Sequence, residues 1–380
     1  MSAPADRSAT GGADDFEAWF RLLETPGVGR ETARRLLAAC GSPGAVLGAG
    51  RATLRELAGA KVAAALAATP PEFDQRLQAA RHWLAGGDDR HVLTLGDPLY
   101  PPRLLQTADP PLLLYVQGAL AKLSEAGIAV VGSRHATPQG LDNARALARA
   151  LSERPLVVFS GLAAGIDGAA HEGALDAAEA SALCAGTVAV VGTGLDRVYP
   201  ARHRELARRI AGRGALVSEY APGTPPLAEN FPPRNRILAG LSLGTLVVEA
   251  ALQSGSLITA RLAAEAGREV FAVPGSIHAP QSRGCHALLR QGAKLVETAQ
   301  DIFDELTSLV PARPAPAGHT EEVPTDPLLR ALGSDAATID ALQARTGWPA
   351  ADLAARLFEL ELEGHVARMA GGLYQRRHAG

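Results

Sequence analysis

Apolar side chains recur with a helical period over the first part of the chain. Between residues 16 and 86 they lie three and four positions apart, and the pattern ends at a run of Gly and Asp over residues 86–89. The side chains that form this apolar face are Phe16, Trp19, Phe20, Leu22, Leu23, Leu36, Leu37, Leu54, Leu57, Val62 and Leu66. The periodicity predicts a small all-α domain over residues 16–86.

A glycine-rich turn interrupts this helical segment at residues 25–29, where the sequence is TPGVG. Glycines in such a turn let the backbone come close to a phosphate, and the N–H groups of the following helix can bind it. A turn kept only for helix packing would have the same composition. The N-terminal domain therefore resembles a SAM or helix-hairpin-helix domain, and DNA contact at the turn and packing alone are both open.

Short β-branched runs alternate with Ala- and Leu-rich stretches in the middle of the chain. Near-continuous apolar strands with helices between them indicate a parallel sheet that is covered on both faces. The runs are residues 128–131, 156–159, 188–191, 215–217, 245–248 and 269–272. We expect a Rossmann-like, doubly wound α/β domain, extended on its N-terminal side so that it spans residues 87–308.

The two ends of the chain differ from this pattern. Residues 1–15 are small and polar and predict a disordered tail, and residues 309–326 form a Pro-, Ala- and charge-rich segment that is typical of a linker. Beyond the linker, two helical stretches precede two short apolar runs around Gly371 and Gly372. That order predicts a winged helix over residues 327–380.

Charge and cysteine content restrict the function classes. The net charge of −3 means that a contact with nucleic acid must use a local basic patch. Cys40, Cys184 and Cys285 are far apart and form no C-x-x-C pair, which argues against a disulfide framework and a structural zinc site. The polar N-terminus and the lack of a long apolar stretch predict a cytoplasmic protein without a membrane partner.

A candidate anion site follows the first strand of the central domain. Residues 128–131 run into Gly132, Ser133 and Arg134, and Thr137 precedes a proline that opens a helix. A glycine turn at the carboxyl end of a parallel strand is where doubly wound folds bind anionic ligands. The turn lacks the G-x-G-x-x-G pattern and the next strand lacks a terminal acidic residue, so we expect no dinucleotide. Arg134 would contact a phosphate instead.

Further motifs identify a family. They are SGLAAGIDGAAH at 160–171, GTGLDRVYP at 192–200, FPPRNRI at 231–237, GLS at 240–242, SGSLITA at 254–260 and VPGS at 273–276. With the GSR turn they resemble, in order, the signature of the DNA-processing protein A family (DprA/Smf) over residues 97–299. The resemblance implies a homodimer through the Rossmann-like domain that binds single-stranded DNA and recruits the RecA recombinase during natural transformation in competent species. Single-strand-binding protein is a further candidate partner.

The predicted DNA site combines phosphate contacts with base stacking. Arginines would neutralise phosphates, a helix N-terminus would favour an anion, and two rings in loops after strands would stack on unpaired bases. The predicted DNA-binding residues are Gly132, Ser133, Arg134, Thr137, Ser160, Gly161, Tyr199, Phe231, Arg234, Asn235, Arg236, Ser254, Gly255 and Ser256. Relatives often carry a basic residue just before the phenylalanine, whereas residues 226–230 contain none. A structural salt bridge is the alternative for Arg134 and, more strongly, for Arg236.

Enzyme and metal functions are the alternatives. The sequence GLSLGT at 240–245, followed by Glu249, is similar to the G-G-x-G-T-x-x-E motif of phosphoribohydrolases, in which the Glu is catalytic. Ser242 replaces the second glycine, so a hydrolase or a nucleotide-sensing module is the second choice and a protein without enzymatic activity or cofactor is the first. Asp167 and His171 lie one helical turn apart, but no third ligand is evident and Asp167 is well placed as the N-cap of a helix, so we expect no metal.

Overall fold

The N-terminal part of the chain is helical. The computed structural model describes residues 13–306, 326–333, 336–369 and 371–377, so most of the predicted tail and linker lie outside the described residues. The first helices are α1 (Ala13–Glu24), α2 (Arg30–Cys40), α3 (Pro43–Gly48), α4 (Arg51–Ala67) and α5 (Phe73–Ala85). Phe20, Leu22 and Leu36 are fully buried between them, as their spacing predicts. The backbone turns at Gly27 (φ 84°), and α4 breaks at Gly59 (φ 85°).

A nine-stranded sheet forms the centre of the molecule, with the strand order β1-β2-β6-β5-β4-β3-β7-β8-β9. The strands are β1 (Arg90–Thr94), β2 (Leu113–Gly118), β3 (Gly127–Val131), β4 (Val157–Ser160), β5 (Thr187–Val191), β6 (Ala215–Ser218), β7 (Gly244–Val247), β8 (Glu269–Ala272) and β9 (Lys294–Leu295). All six predicted strands are present and pair in parallel. The first two strands add an antiparallel edge. The predicted α/β fold is therefore confirmed.

Helices cover both faces of this sheet. They are α6 (Pro102–Leu105), α7 (Pro138–Glu153), α8 (Ile166–Ala180), α9 (Arg204–Arg213), α10 (Phe231–Leu241), α11 (Ser256–Glu265), α12 (Arg283–Arg290) and α13 (Ala299–Glu305). Along β3 the side chains alternate between two cores, with Ile128 and Val130 in one and Ala129 and Val131 in the other. This alternation explains why a strand buried on both faces is apolar at every position. Among the described residues, no helix is both long and apolar enough to cross a membrane.

The strand order reverses direction at β3. The chain proceeds from β3 through β4 and β5 to β6 on one side, and then crosses back to place β7 on the other side of β3. The helices that follow β3 and β7 therefore leave the sheet in opposite directions. They open a crevice at its carboxyl edge. Ligands of doubly wound folds bind at this switch point.

The C-terminal domain is a winged helix with its own core. It contains α14 (Pro327–Leu332), β10 (Ala337–Thr338), α15 (Ile339–Thr346), α16 (Ala350–Leu362), β11 (Val366–Met369) and β12 (Leu373–Arg376), with the sheet order β10-β12-β11. Leu353, Leu357 and Leu360 are buried in its core, which confirms the predicted winged helix. The wing contacts α7, where Asp142 accepts two hydrogen bonds from Arg377 at 3.1 and 2.9 Å.

Candidate nucleic-acid interface

A cleft of about 490 Å³ opens at the switch point, between the turn after β3 and the N-termini of α10 and α11. Nine of the predicted DNA-binding residues line it, and they come from three separate motifs. These residues are Gly132, Ser133, Arg134, Phe231, Arg234, Asn235, Ser254, Gly255 and Ser256. The fold therefore brings together most of the residues that the sequence placed in the DNA site.

Arg134 supplies an exposed charge at the mouth of the cleft. Its turn is held by two backbone hydrogen bonds, from the N–H of Ser133 to the carbonyl of Glu249 (2.7 Å) and from the N–H of Ile166 to the carbonyl of Ser133 (3.1 Å). The guanidinium lies 5.5 Å from the centre of the Phe231 ring, within the range of a cation–π contact. In the described part of the chain Arg134 has no ion pair, so its charge is available to a ligand.

Arg234 differs from Arg134 because it is only 4 % exposed. Its Nη1 donates to the carbonyl oxygens of Gly161 (2.8 Å) and Val190. Burial lowers the pKa of Arg234 to about 10, and the nearby carboxylate of Asp167 opposes that shift. Burial also raises the pKa of Asp167, against the effect of Arg234. Arg234 therefore supports the floor of the cleft through Nη1, whereas its buried Nε has no hydrogen-bond partner among the described residues.

Gly161 lies between these two buried groups. A Cβ at this position would be 2.5 Å from Nη1 of Arg234 and 2.6 Å from Oδ2 of Asp167, so any side chain would displace them. The N–H of Gly161 donates to Oδ2 of Asp167 at 3.1 Å, which occupies the backbone group that we expected to face DNA. Gly161 is thus required for close packing beneath the cleft.

The Phe231 ring forms one side of the cleft, and the Tyr199 ring packs against it from outside. The sequence predicted that Phe231 lies in a loop, but it is the first residue of α10. Pro232 and Pro233 follow it. Prolines fit the first turn of a helix because an N–H group at that position would have no intrahelical acceptor. Tyr199 does not line the cleft itself, but it is 50 % exposed and its ring lies 5.7 Å from that of Phe231. The two rings together extend an aromatic surface away from Arg134.

The opposite side of the cleft is the N-terminus of α11. Gly255 precedes the helix, and the hydroxyls of Ser254 and Ser256 lie 2.7 Å apart. The N–H groups of Ser256, Leu257 and Ile258 are already bonded to Ser254 and Gly255 at 3.1–3.4 Å, so the helix dipole and the serine hydroxyls are what this helix end offers an anion. This side therefore suits a phosphate. Gln253 and Thr259 also line the cleft but were not predicted. Gln253 directly precedes the SGSLITA motif at 254–260 and Thr259 lies within it, and this position was a usable signal.

Three predicted residues have structural partners outside the cleft. The Thr137 hydroxyl accepts a hydrogen bond from the N–H of Gly140 and caps α7. Ser160 is fully buried and donates to the carbonyl of Val130 at 2.6 Å. Arg236 donates to the carboxylates of Asp109 (2.8 Å) and Glu219. The structure does not bring these side chains to the candidate site.

The carboxylates around Arg236 also hold the N-terminal helices. Nε of Arg30 lies 2.9 Å from Asp109, and Arg34 pairs with the same carboxylate. Both arginines belong to α2, directly after the TPGVG turn. This geometry favours packing against the central domain as the role of that turn. The sequence missed the network because Asp109 lies in a proline-rich segment, residues 97–117, whose pattern predicts neither a helix nor a strand.

Glu249 does not face the cleft. Its carboxylate accepts hydrogen bonds from the N–H (2.9 Å) and the hydroxyl (2.5 Å) of Thr137, at the start of α7. Burial raises the pKa of Glu249, and these two hydrogen bonds oppose the shift. The side chain therefore binds the end of a helix, and the cleft does not contain the carboxylate that the hydrolase alternative requires.

The Asp167 and His171 pair does not form a metal site in the described residues, where no group of three His, Cys, Asp or Glu side chains is suitably arranged. Nδ1 of His171 lies 2.7 Å from the Thr187 hydroxyl, and Asp167 is engaged with backbone N–H groups. Gly165 is the N-cap of α8, so Asp167 lies in its first turn and not at the cap position.

This chain is similar to known proteins in sequence. The family model described as DNA recombination-mediator protein A matches residues 91–307, and the one described as DprA winged helix domain matches residues 311–372. Protein Smf of Escherichia coli is 42% identical over 300 residues, which cover 77% of this chain and 79% of that protein. DNA processing protein DprA of Streptococcus pneumoniae is 46% identical over 209 residues, which cover 55% of this chain and 72% of that protein.

Two solved structures are similar to this chain. The X-ray structure of DprA from Streptococcus pneumoniae has a TM-score of 0.64 at 35% identity and covers 78% of this chain and 99% of its own. A structure of DprA from Helicobacter pylori, described as giving insights into its single-stranded DNA binding mode, has a TM-score of 0.52 at 29% identity. It covers 58% of this chain and 97% of its own.

Proposed function

Because the chain belongs to the DNA recombination-mediator protein A family, we propose that it binds single-stranded DNA in the cleft at the switch point. The observation that carries this proposal is Arg134, an exposed guanidinium without an ion pair in the described residues, stacked against Phe231. A phosphate would contact Arg134 and the α11 N-terminus, and a base would stack on the aromatic surface. Every base has a stacking face, so binding of this kind tolerates any sequence.

We further propose that the protein acts by binding and not by catalysis. A hydrolase of the related superfamily needs a carboxylate beside the bound ribose, whereas the Glu249 carboxylate is hydrogen-bonded to Thr137 at the start of α7. The carboxylate that does line the cleft, Asp167, is buried, and its Oδ2 accepts hydrogen bonds from the N–H groups of Gly161 and Ala163. The nucleotide-cleaving and nucleotide-sensing alternatives therefore have less support.

The proposed biological role is that of a recombination mediator in the cytoplasm. Relatives from Streptococcus pneumoniae and Bacillus subtilis are named DNA processing protein DprA. We propose that this chain likewise protects incoming single strands during natural transformation and loads RecA onto them, with single-strand-binding protein as a second partner. In a reconstituted reaction, the protein should shorten the lag before RecA assembles on DNA coated with single-strand-binding protein.

We also propose a homodimer through the Rossmann-like domain. Leu295 in the edge strand β9 is 49 % exposed. Leu252 is 58 % exposed and borders a groove of about 830 Å³ between α11 and α12. An open sheet edge beside exposed leucines is typical of a surface that is covered by another chain. Light scattering should give twice the mass of one chain, and Leu295→Asp should shift it toward the monomer.

The DNA-binding proposal is tested by titrating labelled oligo-dT with the protein over a series of salt concentrations. The logarithm of the binding constant should fall linearly with the logarithm of the salt concentration, because bound phosphates release counterions. A mixed-sequence strand should compete as well as oligo-dT, and a duplex should compete poorly. Absence of binding at low salt, together with release of adenine from AMP, would instead favour the hydrolase.

A further inference from the structure

The loop between β5 and α9 forms the rim of the cleft beside its aromatic side. Tyr199, in this loop, contacts the ring of Phe231 at 5.7 Å. Farther along the loop, Nδ1 of His203 lies 3.0 Å from the carbonyl of Leu162. Phe231 and Ala163, the neighbour of Leu162, both line the cleft. The C-terminal half of the loop is therefore attached to the wall of the proposed DNA site at two points, Tyr199 and His203.

Arg202 is an uncommitted basic residue on this rim. It lies in a short 3-10 turn, Ala201–His203, and is exposed. In the part of the chain that the structure describes, it makes no hydrogen bond and no ion pair. Arg208, farther along α9, instead pairs with Glu205 at 2.7 Å. Arg202 therefore has a free charge close to the aromatic surface.

Local folding gives no reason for a positive charge at this position. Arg202 and Arg204 lie at the start of α9, where the helix dipole disfavours cations. Arg204 is also exposed and also lacks an ion pair among the described residues. Two unpaired arginines at the positive end of a helix repel each other weakly, and a bound anion would remove that cost.

The other segment at this edge cannot supply the charge. Residues 226–230, directly before Phe231, contain no basic side chain, and Glu229 is exposed among them. A strand that stacks one base on Phe231 and the next on Tyr199 would pass toward Arg202. We propose that single-stranded DNA leaves the cleft over Tyr199 and that Arg202, supported by Arg204, binds the phosphate beyond it. This inference rests on the proposed function and specifies the path of the strand.

Strand length tests the path. An oligo-dT of about 5 nucleotides would fill only the cleft, whereas one of about 20 would also reach the rim. Arg202→Ala should leave the affinity for the short strand unchanged, weaken binding of the long strand about fivefold, and lower its salt slope by about 0.7, the loss of one phosphate contact. Arg202→Lys should retain most of the affinity because it keeps the charge.

Arg208→Ala is the matched control, since it removes an exposed arginine of α9 that already has a carboxylate partner. If Arg202→Ala behaves like Arg208→Ala with both strands while the wild type binds tightly, the path is wrong and the proposed function stands. Equal weakening with both strand lengths would also overturn the path, because it would place Arg202 inside the cleft. Failure of the wild type to bind either strand would overturn both proposals.

Discussion

The guanidinium of Arg134 lies 5.5 Å from the centre of the Phe231 ring, although the two residues come from different motifs. A phosphate contact and a stacking face are thereby joined in one exposed unit. A nucleotide offers the same two groups, a charged phosphate and a flat base, next to each other. The pair therefore gives the cleft its suitability for a single strand, and it can be tested one side chain at a time.

Arg134→Ala should weaken binding of oligo-dT and reduce the slope of its salt dependence by about 0.7, because one phosphate fewer is neutralised. Fluorescence anisotropy at several salt concentrations measures both quantities. Arg149→Ala is the control, since that arginine lies on α7 and pairs with Glu153. An unchanged slope would remove Arg134 from the DNA site.

Phe231→Leu should cost about 1–3 kcal/mol of binding free energy, the usual contribution of one stacked base. Leucine keeps an apolar contact with Tyr199 but offers no flat face. Phe231→Tyr keeps the ring and should bind nearly as well as the wild type. Equal affinities for the leucine and tyrosine variants would mean that the ring only fills space between Gly192 and Tyr199.

Glu249→Gln should leave oligo-dT affinity unchanged within error, because the carboxylate faces the start of α7. The glutamine carbonyl can still accept the hydrogen bond from the Thr137 N–H. Neither the wild type nor the variant should release adenine from AMP in a chromatographic assay. Turnover by the wild type that disappears in the variant would establish the hydrolase alternative.

The winged helix should not bind duplex DNA. Its helix α16 carries Asp352, Glu359 and Glu361, and its single arginine, Arg356, is held by Asp326 and Glu359 at 2.7 Å. The phosphates of a duplex would repel this helix.

In the wing, Arg377 is bound to Asp142 of α7, which leaves Arg368 and Arg376 for at most a nonspecific contact. A fragment with residues 311–380, which keeps the Asp326–Arg356 ion pair, should not shift a duplex of about 20 base pairs at physiological salt. Deletion of residues 311–380 should lower single-strand affinity only slightly. Tight duplex binding by the fragment would show that the charge argument is wrong.

His171 should make the protein less stable in acid. Burial, with smaller effects from His203 and Arg234, lowers the pKa of His171 from 6.5 to about 3. Between these values the unfolded chain binds a proton that the folded protein does not, so the free energy of unfolding falls as the pH falls.

His171→Phe should flatten this dependence in urea denaturation between pH 6.5 and pH 5, a range that lies between the unfolded and folded pKa values of His171. The Thr187 hydroxyl keeps its hydrogen bond to the carbonyl of Val158 in this variant, and Nε2 of His171 has no partner to lose. His278→Asn, at an exposed position, is the control. A pH dependence that is identical in both variants would mean that other groups dominate.

The sequence by itself determined the six parallel strands β3 to β8 of the central domain and the location of the cleft at their carboxyl edge. A strand buried on both faces must be apolar at every position, so residues 128–131 were recognisable without any partner strand. A glycine turn directly after such a strand must lie at the carboxyl edge of a parallel sheet. Those two local constraints placed Gly132, Ser133 and Arg134 in the cleft.

Some local signals were ambiguous, and the structure resolved them. Phe231 was expected in a loop after a strand, but with Pro232 and Pro233 behind it the residue begins α10, because prolines are compatible with a first helical turn. Asp167 was expected to cap α8, and it reaches the backbone of the preceding loop from the first turn instead. In each case two backbone conformations fit the local sequence, and packing against the sheet selected one.

Only the tertiary structure decided the roles of the arginines. Family motifs contain Arg134, Arg234 and Arg236. The residues next to each arginine do not indicate which of the three side chains a ligand can reach. The structure leaves the first exposed, buries the second beneath Gly161, and pairs the third with Asp109, 127 residues away in the chain. Exposure and ion pairing depend on groups that are distant in sequence, so a pattern read along the chain cannot contain them.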